Sequence, residues 1–89
     1  MKFSLGQVVM TPGVMAAFEA SGDDPLAFLQ RHINLDTGDL SPEDVQENQR
    51  SVENGWRILS AYRLSDGTRI WLITESDRAS TCILLPSEY

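Results

Sequence analysis

The stretch from Trp56 to Tyr89 constrains this chain most, because it holds three apolar runs separated by turn chemistry, and the first turn reads Leu64-Ser65-Asp66-Gly67-Thr68. An Asp-Gly pair between strand-like runs is a strong hairpin signal, since Gly67 can take the positive φ that a tight turn or a G1 bulge requires. The runs, about Trp56 to Leu64, Arg69 to Glu75 and Thr81 to Leu85, therefore predict an antiparallel β-meander. Two registers are open across the first turn. A two-residue loop pairs Tyr62 with Trp71, whereas a bulged three-residue loop, Ser65-Asp66-Gly67, pairs Arg57 with Glu75, Leu59 with Ile73 and Ala61 with Trp71. The bulged loop is favoured, because it sets opposite charges across the strands, an arrangement worth ~0.2 to 1 kcal/mol. Gln7-Val8-Val9-Met10 has the makings of a short fourth strand whose pairing partner the sequence leaves open.

Upstream, Thr11-Pro12, Asp24-Pro25 and Ser41-Pro42 each place a side-chain oxygen just before a proline. That is N-cap followed by N1: the oxygen accepts an orphan N–H, and proline brings a preset φ with no N–H to lose. Three helices follow, from Pro12 to about Ser21, Pro25 to about Ile33 and Pro42 to about Asn54, with Gly22 and Gly55 suited to end the first and third. In the first, Val14, Met15 and Phe18 form the buried stripe; in the second, Leu26, Leu29 and Ile33 do so with Phe28 beside them. The third has only Val45 and Val52 as apolar residues, so it should lie on the surface, mostly wet. The polar segment Asn34 to Leu40 links the second and third helices, with Gly38 as its flexible point.

At 89 residues the chain is a single domain spanning residues 1–89. The expected fold is α+β: three N-terminal helices on a C-terminal three-stranded antiparallel meander, with Phe18, Leu29, Ile58 and Ile73 in one core. The formal charge of −6 opposes function by phosphate neutralisation, so direct nucleic-acid binding is not expected. No apolar run reaches the ~18 to 20 residues of a membrane span, and the start of the chain lacks the long apolar segment of a secretion signal. A single cysteine, Cys82, flanked by apolar residues, fits a reduced compartment, and a cytoplasmic location is expected.

Residues able to carry chemistry are few. His32 is the only histidine, and a lone His near the end of an apolar helix most often complements the helix dipole or packs. One His with one distant Cys gives no metal-ligand spacing. Glu75 and Asp77 could divide acid and base roles, though such a cluster is more often a solvated turn. Ser60, Ser76 and Ser80 have no histidine nearby in sequence. Trp56, Tyr62 and Trp71 could stack bases, but no basic groove accompanies them. The reading is of no enzyme, with no catalytic residue, cofactor or metal.

Acid clustering is the least ordinary feature. From Glu19 to Glu53 nine acids face two arginines, a balance of −7, while the rest of the chain stands at +1. Glu43 and Asp44 in a first helical turn suit the helix dipole, whereas Glu47 sits four residues after Glu43, where like charges repel. Asp36, Asp39, Glu43, Asp44 and Glu47 are accordingly the candidate surface for a basic protein partner. Tyr62 and Trp71 are the alternative surface, and self-association through a sheet edge is a further option.

The segments Phe3-Ser4-Leu5-Gly6-Gln7-Val8-Val9, Thr11-Pro12-Gly13, Gly38-Asp39-Leu40, Arg57-Ile58-Leu59-Ser60-Ala61-Tyr62-Arg63, Trp71-Leu72-Ile73-Thr74-Glu75 and Leu84-Leu85-Pro86-Ser87-Glu88-Tyr89 span nearly the whole chain. In them it resembles small bacterial proteins carried on plasmids and integrative elements, which often bear the label of plasmid-related protein or type I restriction subunit. Met10 departs from the Ala usual in that group, a change that should touch packing only. The resemblance implies a mobile-element setting and brings no site residues with it. Mobile elements must survive restriction and CRISPR systems, whose DNA channels are basic, so an acidic inhibitor of such a system is the leading expectation. An accessory factor for plasmid maintenance or conjugation, binding a protein through its sheet, is the alternative.

Overall fold

The computed structural model describes residues 3–36, 38 and 40–89. The three X-Pro starts open the three helices α1 (Pro12–Ser21), α2 (Pro25–Ile33) and α3 (Pro42–Asn54). Thr11, Asp24 and Ser41 accept from the N–H groups of Val14, Leu26 and Asp44 at 3.3, 3.0 and 3.3 Å, so each cap satisfies a donor that the first turn leaves orphaned. Gly22 and Gly55 close α1 and α3 in the left-handed conformation.

Four strands, β1 (Gln7–Met10), β2 (Ile58–Arg63), β3 (Arg69–Thr74) and β4 (Ser80–Leu84), form one sheet in the order β1-β4-β3-β2. The meander β2-β3-β4 is antiparallel as expected, but the sheet is four-stranded and mixed, because β1 lies parallel to β4 from Gln7 opposite Ser80 to Met10 opposite Ile83. A parallel pair needs a long crossover, and the chain between Met10 and Ser80 supplies it. Across the first turn the three-residue loop holds: Ala61 faces Trp71, Leu59 faces Ile73, and the Arg57 and Glu75 side chains meet at 3.5 Å. Gly67 turns the loop at φ 90° and donates to the Leu64 carbonyl at 2.9 Å.

Strand alternation gives the sheet two faces. Tyr62, Ile70, Leu72 and Ile83 point inward and form one core with Val14 and Phe18 of α1 and Phe28 and Leu29 of α2. Ile58 shares this face, but Ile73 does not: opposite Leu59, it points to the other side, so the expected four-residue core of Phe18, Leu29, Ile58 and Ile73 is divided by the sheet. The helix stripes are also narrower than expected. Met15 (56% exposed) and Leu26 (63%) face solvent, and on α2 the buried set is Phe28, Leu29 and His32.

The third helix does not layer on the sheet as the first two do; it runs beside the edge of β2. The Asn48 side chain accepts from the Leu59 N–H at 3.1 Å and donates to the Leu59 carbonyl, standing in for the next strand. Gly38, expected as a flexible point, makes a parallel bridge with Ala61 on the same edge. Its φ of 73° and the closeness of the Ala61 carbonyl and the Tyr62 ring leave no room for a side chain. This edge is thereby closed to further pairing.

Candidate functional site

Two kinds of polar cluster emerge, one sealed and one open. The sealed one surrounds His32, which is fully buried, with Ser60 Oγ 2.5 Å from Nδ1 and Thr74 Oγ1 2.9 Å from Nε2. Its proton order follows from its far end. The Leu5 carbonyl can only accept, so Thr81 donates to it at 2.8 Å; Thr74 then donates to Thr81 at 2.6 Å, and Thr74 accepts from His32 Nε2–H. Nδ1 is left as an acceptor for the Ser60 hydroxyl, and the imidazole is neutral. Burial holds its pKa down at about 4.

A serine hydroxyl donating to an imidazole is the arrangement of an activated nucleophile. Ser60 and His32 are both 0% exposed, however, so no substrate reaches this pair and its role is to satisfy polar groups at the junction of α2 with the sheet. Sequence reasoning missed the pair for want of sequence proximity. A signal was present: the favoured register puts Ser60 and Thr74 on one face with Ile58 and Leu72, where two hydroxyls among apolar groups need a polar partner.

Other candidates have structural employment. Glu75 pairs with Arg57, and Asp77 accepts from the Ala79 N–H at 2.9 Å within its own turn. Arg78, unremarked in the sequence, holds a left-handed φ of 59° and donates to the carbonyls of Ser51 and Trp56 at 2.9 and 2.6 Å, tying the β3–β4 turn to the end of α3. Cys82 is part-buried, and desolvation raises its pKa, the opposite of a reactive thiolate. Among the described residues no group of three or more His, Cys, Asp or Glu side chains could hold a metal, and no helix is long and apolar enough to cross a membrane.

The structure divides the acids of the −7 segment. Asp23 accepts from the Ser65 N–H and hydroxyl at 2.7 and 3.0 Å, anchoring the hairpin turn, and the backbone bond is the main cause of its lowered pKa. Asp24 caps α2. Asp36, a candidate for partner binding, is engaged by the Arg31 guanidinium at 2.9 Å, which holds its carboxyl below the usual range, and its carbonyl accepts from Tyr62 Oη. Asp39 lies outside the described residues. Glu43, Asp44 and Glu47 remain together on α3, exposed, with Glu53 further along, and among the described residues the only ion pair they make is Glu47 with Arg50 at 3.5 Å.

Tyr62 and Trp71 cannot act as one surface. Tyr62 is 2% exposed on the inner face, its hydroxyl pushed up to about 12 by burial, whereas Trp71 points outward and meets the Tyr89 ring edge-on at 5.6 Å. The same division removes the base-stacking platform of Trp56, Tyr62 and Trp71. On the outer face, Leu59, Trp71, Ile73 and Tyr89 line an apolar recess of about 310 Å³ with Arg57 at its rim. Arg57 donates to Tyr89 Oη at 3.2 Å, the main reason its pKa is raised.

Comparison of the chain with protein-family models, curated proteins and solved structures finds no match.

Proposed function

We propose that this chain is a non-enzymatic interaction protein of a mobile genetic element that engages a basic protein surface through the acidic side of α3, and that it acts as an inhibitor of a host restriction or CRISPR system. One observation carries the reading: Asp23, Asp24 and Asp36 are consumed by bonds within the fold, while Glu43, Asp44, Glu47 and Glu53 stand exposed on a single helix. Carboxylates left exposed, with at most a helix-dipole or surface-pair role in the fold, raise encounter rates with an oppositely charged surface. The mobile-element setting comes from the resemblance in sequence. The test is recovery of a partner from a host carrying the element, using wild type and the triple variant E43Q/D44N/E47Q as baits. A partner retained by the wild type and lost by the variant supports the reading; equal recovery by both counts against it.

The alternative is an accessory protein for plasmid maintenance or conjugation that binds through its sheet. It is favoured by β1, the edge opposite the one closed by Asn48 and Gly38. Gln7 and Thr11 donate to Ala79 and Ile83 of the β4 side, so the alternating Val8 and Met10 turn their backbone groups away from β4, and Val8 and Val9 are exposed. A second strand, including that of another copy, has a place to pair there.

A further inference from the structure

The outer face of the sheet continues into the acidic side of α3, and this continuity narrows the chemistry of the partner. Arg57 and Leu59 line both the apolar recess of Trp71, Ile73 and Tyr89 and a second recess whose far wall carries Asp44 and Glu47. The described part of the fold lays neither α1 nor α2 on this face, since both pack on the other side of the sheet. Arg57 brings little net positive charge to the boundary, because Glu75 lies 3.5 Å from it. The combined surface is thus an apolar floor with a carboxylate wall on one side.

We infer that this floor and wall form a docking groove for a basic protein segment that presents an apolar anchor, aromatic or leucine, flanked by Lys or Arg. The floor recess of about 310 Å³ is at the lower end of natural ligand pockets and suits one large side chain. Water leaving Leu59, Trp71 and Tyr89 supplies affinity, while Asp44 and Glu47 select partners whose charges fall beside the anchor. This rests on α3 being the partner-facing helix and adds to it the anchor and its seat.

The probe is a displayed library of random short peptides selected on the folded chain, followed by titration of the enriched peptides against wild type, Trp71→Ala, Tyr89→Ala and D44N/E47Q, each checked by a thermal melt. Enriched peptides should combine an aromatic or leucine with Lys or Arg. Trp71→Ala should weaken them about tenfold or more, and D44N/E47Q should weaken them mainly at low salt. Tyr89→Ala, at an exposed position, gives the same reading if Trp71→Ala melts early. Basic peptides with no anchor and no response to Trp71→Ala or Tyr89→Ala would overturn the groove and leave the acidic helix standing. Apolar peptides indifferent to D44N/E47Q would overturn the charged wall and the reading of α3 with it. A concentration-dependent dimer dispersed by Trp71→Ala would show that a second copy, and not a basic segment, occupies the floor. Recovery of no peptide above background would also overturn the inference.

Discussion

The two faces of the sheet are built from the same strands and obey different rules. On the inner face every polar side chain has an assigned partner: His32, Ser60, Thr74 and Thr81 form one hydrogen-bonded chain ending on the Leu5 carbonyl, inside a wall of apolar groups. On the outer face Leu59 and Trp71 are only partly covered, and an arginine and a tyrosine lie across them. An unpaired polar group in the interior is costly, so the inner set is held together by folding itself. Apolar groups left half in water stabilise the fold less than they could, and this partly open surface is the one the proposed groove uses.

Neighbouring residues of β3 give the largest contrast. Leu72 is fully buried inward, so Leu72→Ala should cost ~2 to 5 kcal/mol in urea denaturation. Trp71 points outward, and Trp71→Thr, which keeps strand propensity, should cost under about 1.5 kcal/mol, mostly its contact with Tyr89. Equal losses would erase the distinction between the faces.

Acid sharpens it further. His32 has a folded pKa near 4 against 6.5 in the unfolded chain. Above pH 6.5 the ring is neutral in both states and stability is full; as pH falls the unfolded chain binds the proton first, so stability should drop by about 2 kcal/mol at pH 5 and about 3 kcal/mol at pH 4. The hydrogen-bonded carboxylates Asp23, Asp36, Asp66 and Glu88 also have lowered values, but their loss begins only in the carboxylate range. Unfolding free energies between pH 7 and 5 therefore isolate the histidine, and a flat profile there would mean that water reaches it.

The smallest expected effect belongs to neither face. Gly67 holds φ 90° in the hairpin turn with open space around it, so Gly67→Val is strained by backbone alone and should cost ~1 kcal/mol, read as a lower melting temperature. An unchanged melt would contradict the turn.

These elements also mark what the sequence disclosed. Capping and turn chemistry are local, so Thr11, Asp24 and Ser41 with their prolines disclosed three helices and Asp66-Gly67 a hairpin, while the choice between its two registers leaned on Arg57 standing opposite Glu75. The parallel seat of β1 on β4 is set by a crossover of most of the chain, and no local residue signals it. His32 reads as a helix-end cation by position and is buried because two hydroxyls on distant strands, those of Ser60 and Thr74, meet it. Asn48 lies on the stripe between Val45 and Val52, where it seals the β2 edge in place of a third apolar residue. Of the candidate acids, the −7 balance named the region, but only packing separated Asp36, tied to Arg31, from Glu43, Asp44 and Glu47.

The most direct test of α3 as the partner-facing helix is the salt dependence of affinity for the recovered partner, compared between wild type and E43Q/D44N/E47Q from about 0.05 to about 0.5 M salt. Wild-type affinity should fall steeply with salt, the variant should bind more weakly at low salt with a flatter slope, and the two melts should agree. Equal affinities and equal slopes, with the fold intact, would assign these carboxylates to solubility and contradict the interaction role.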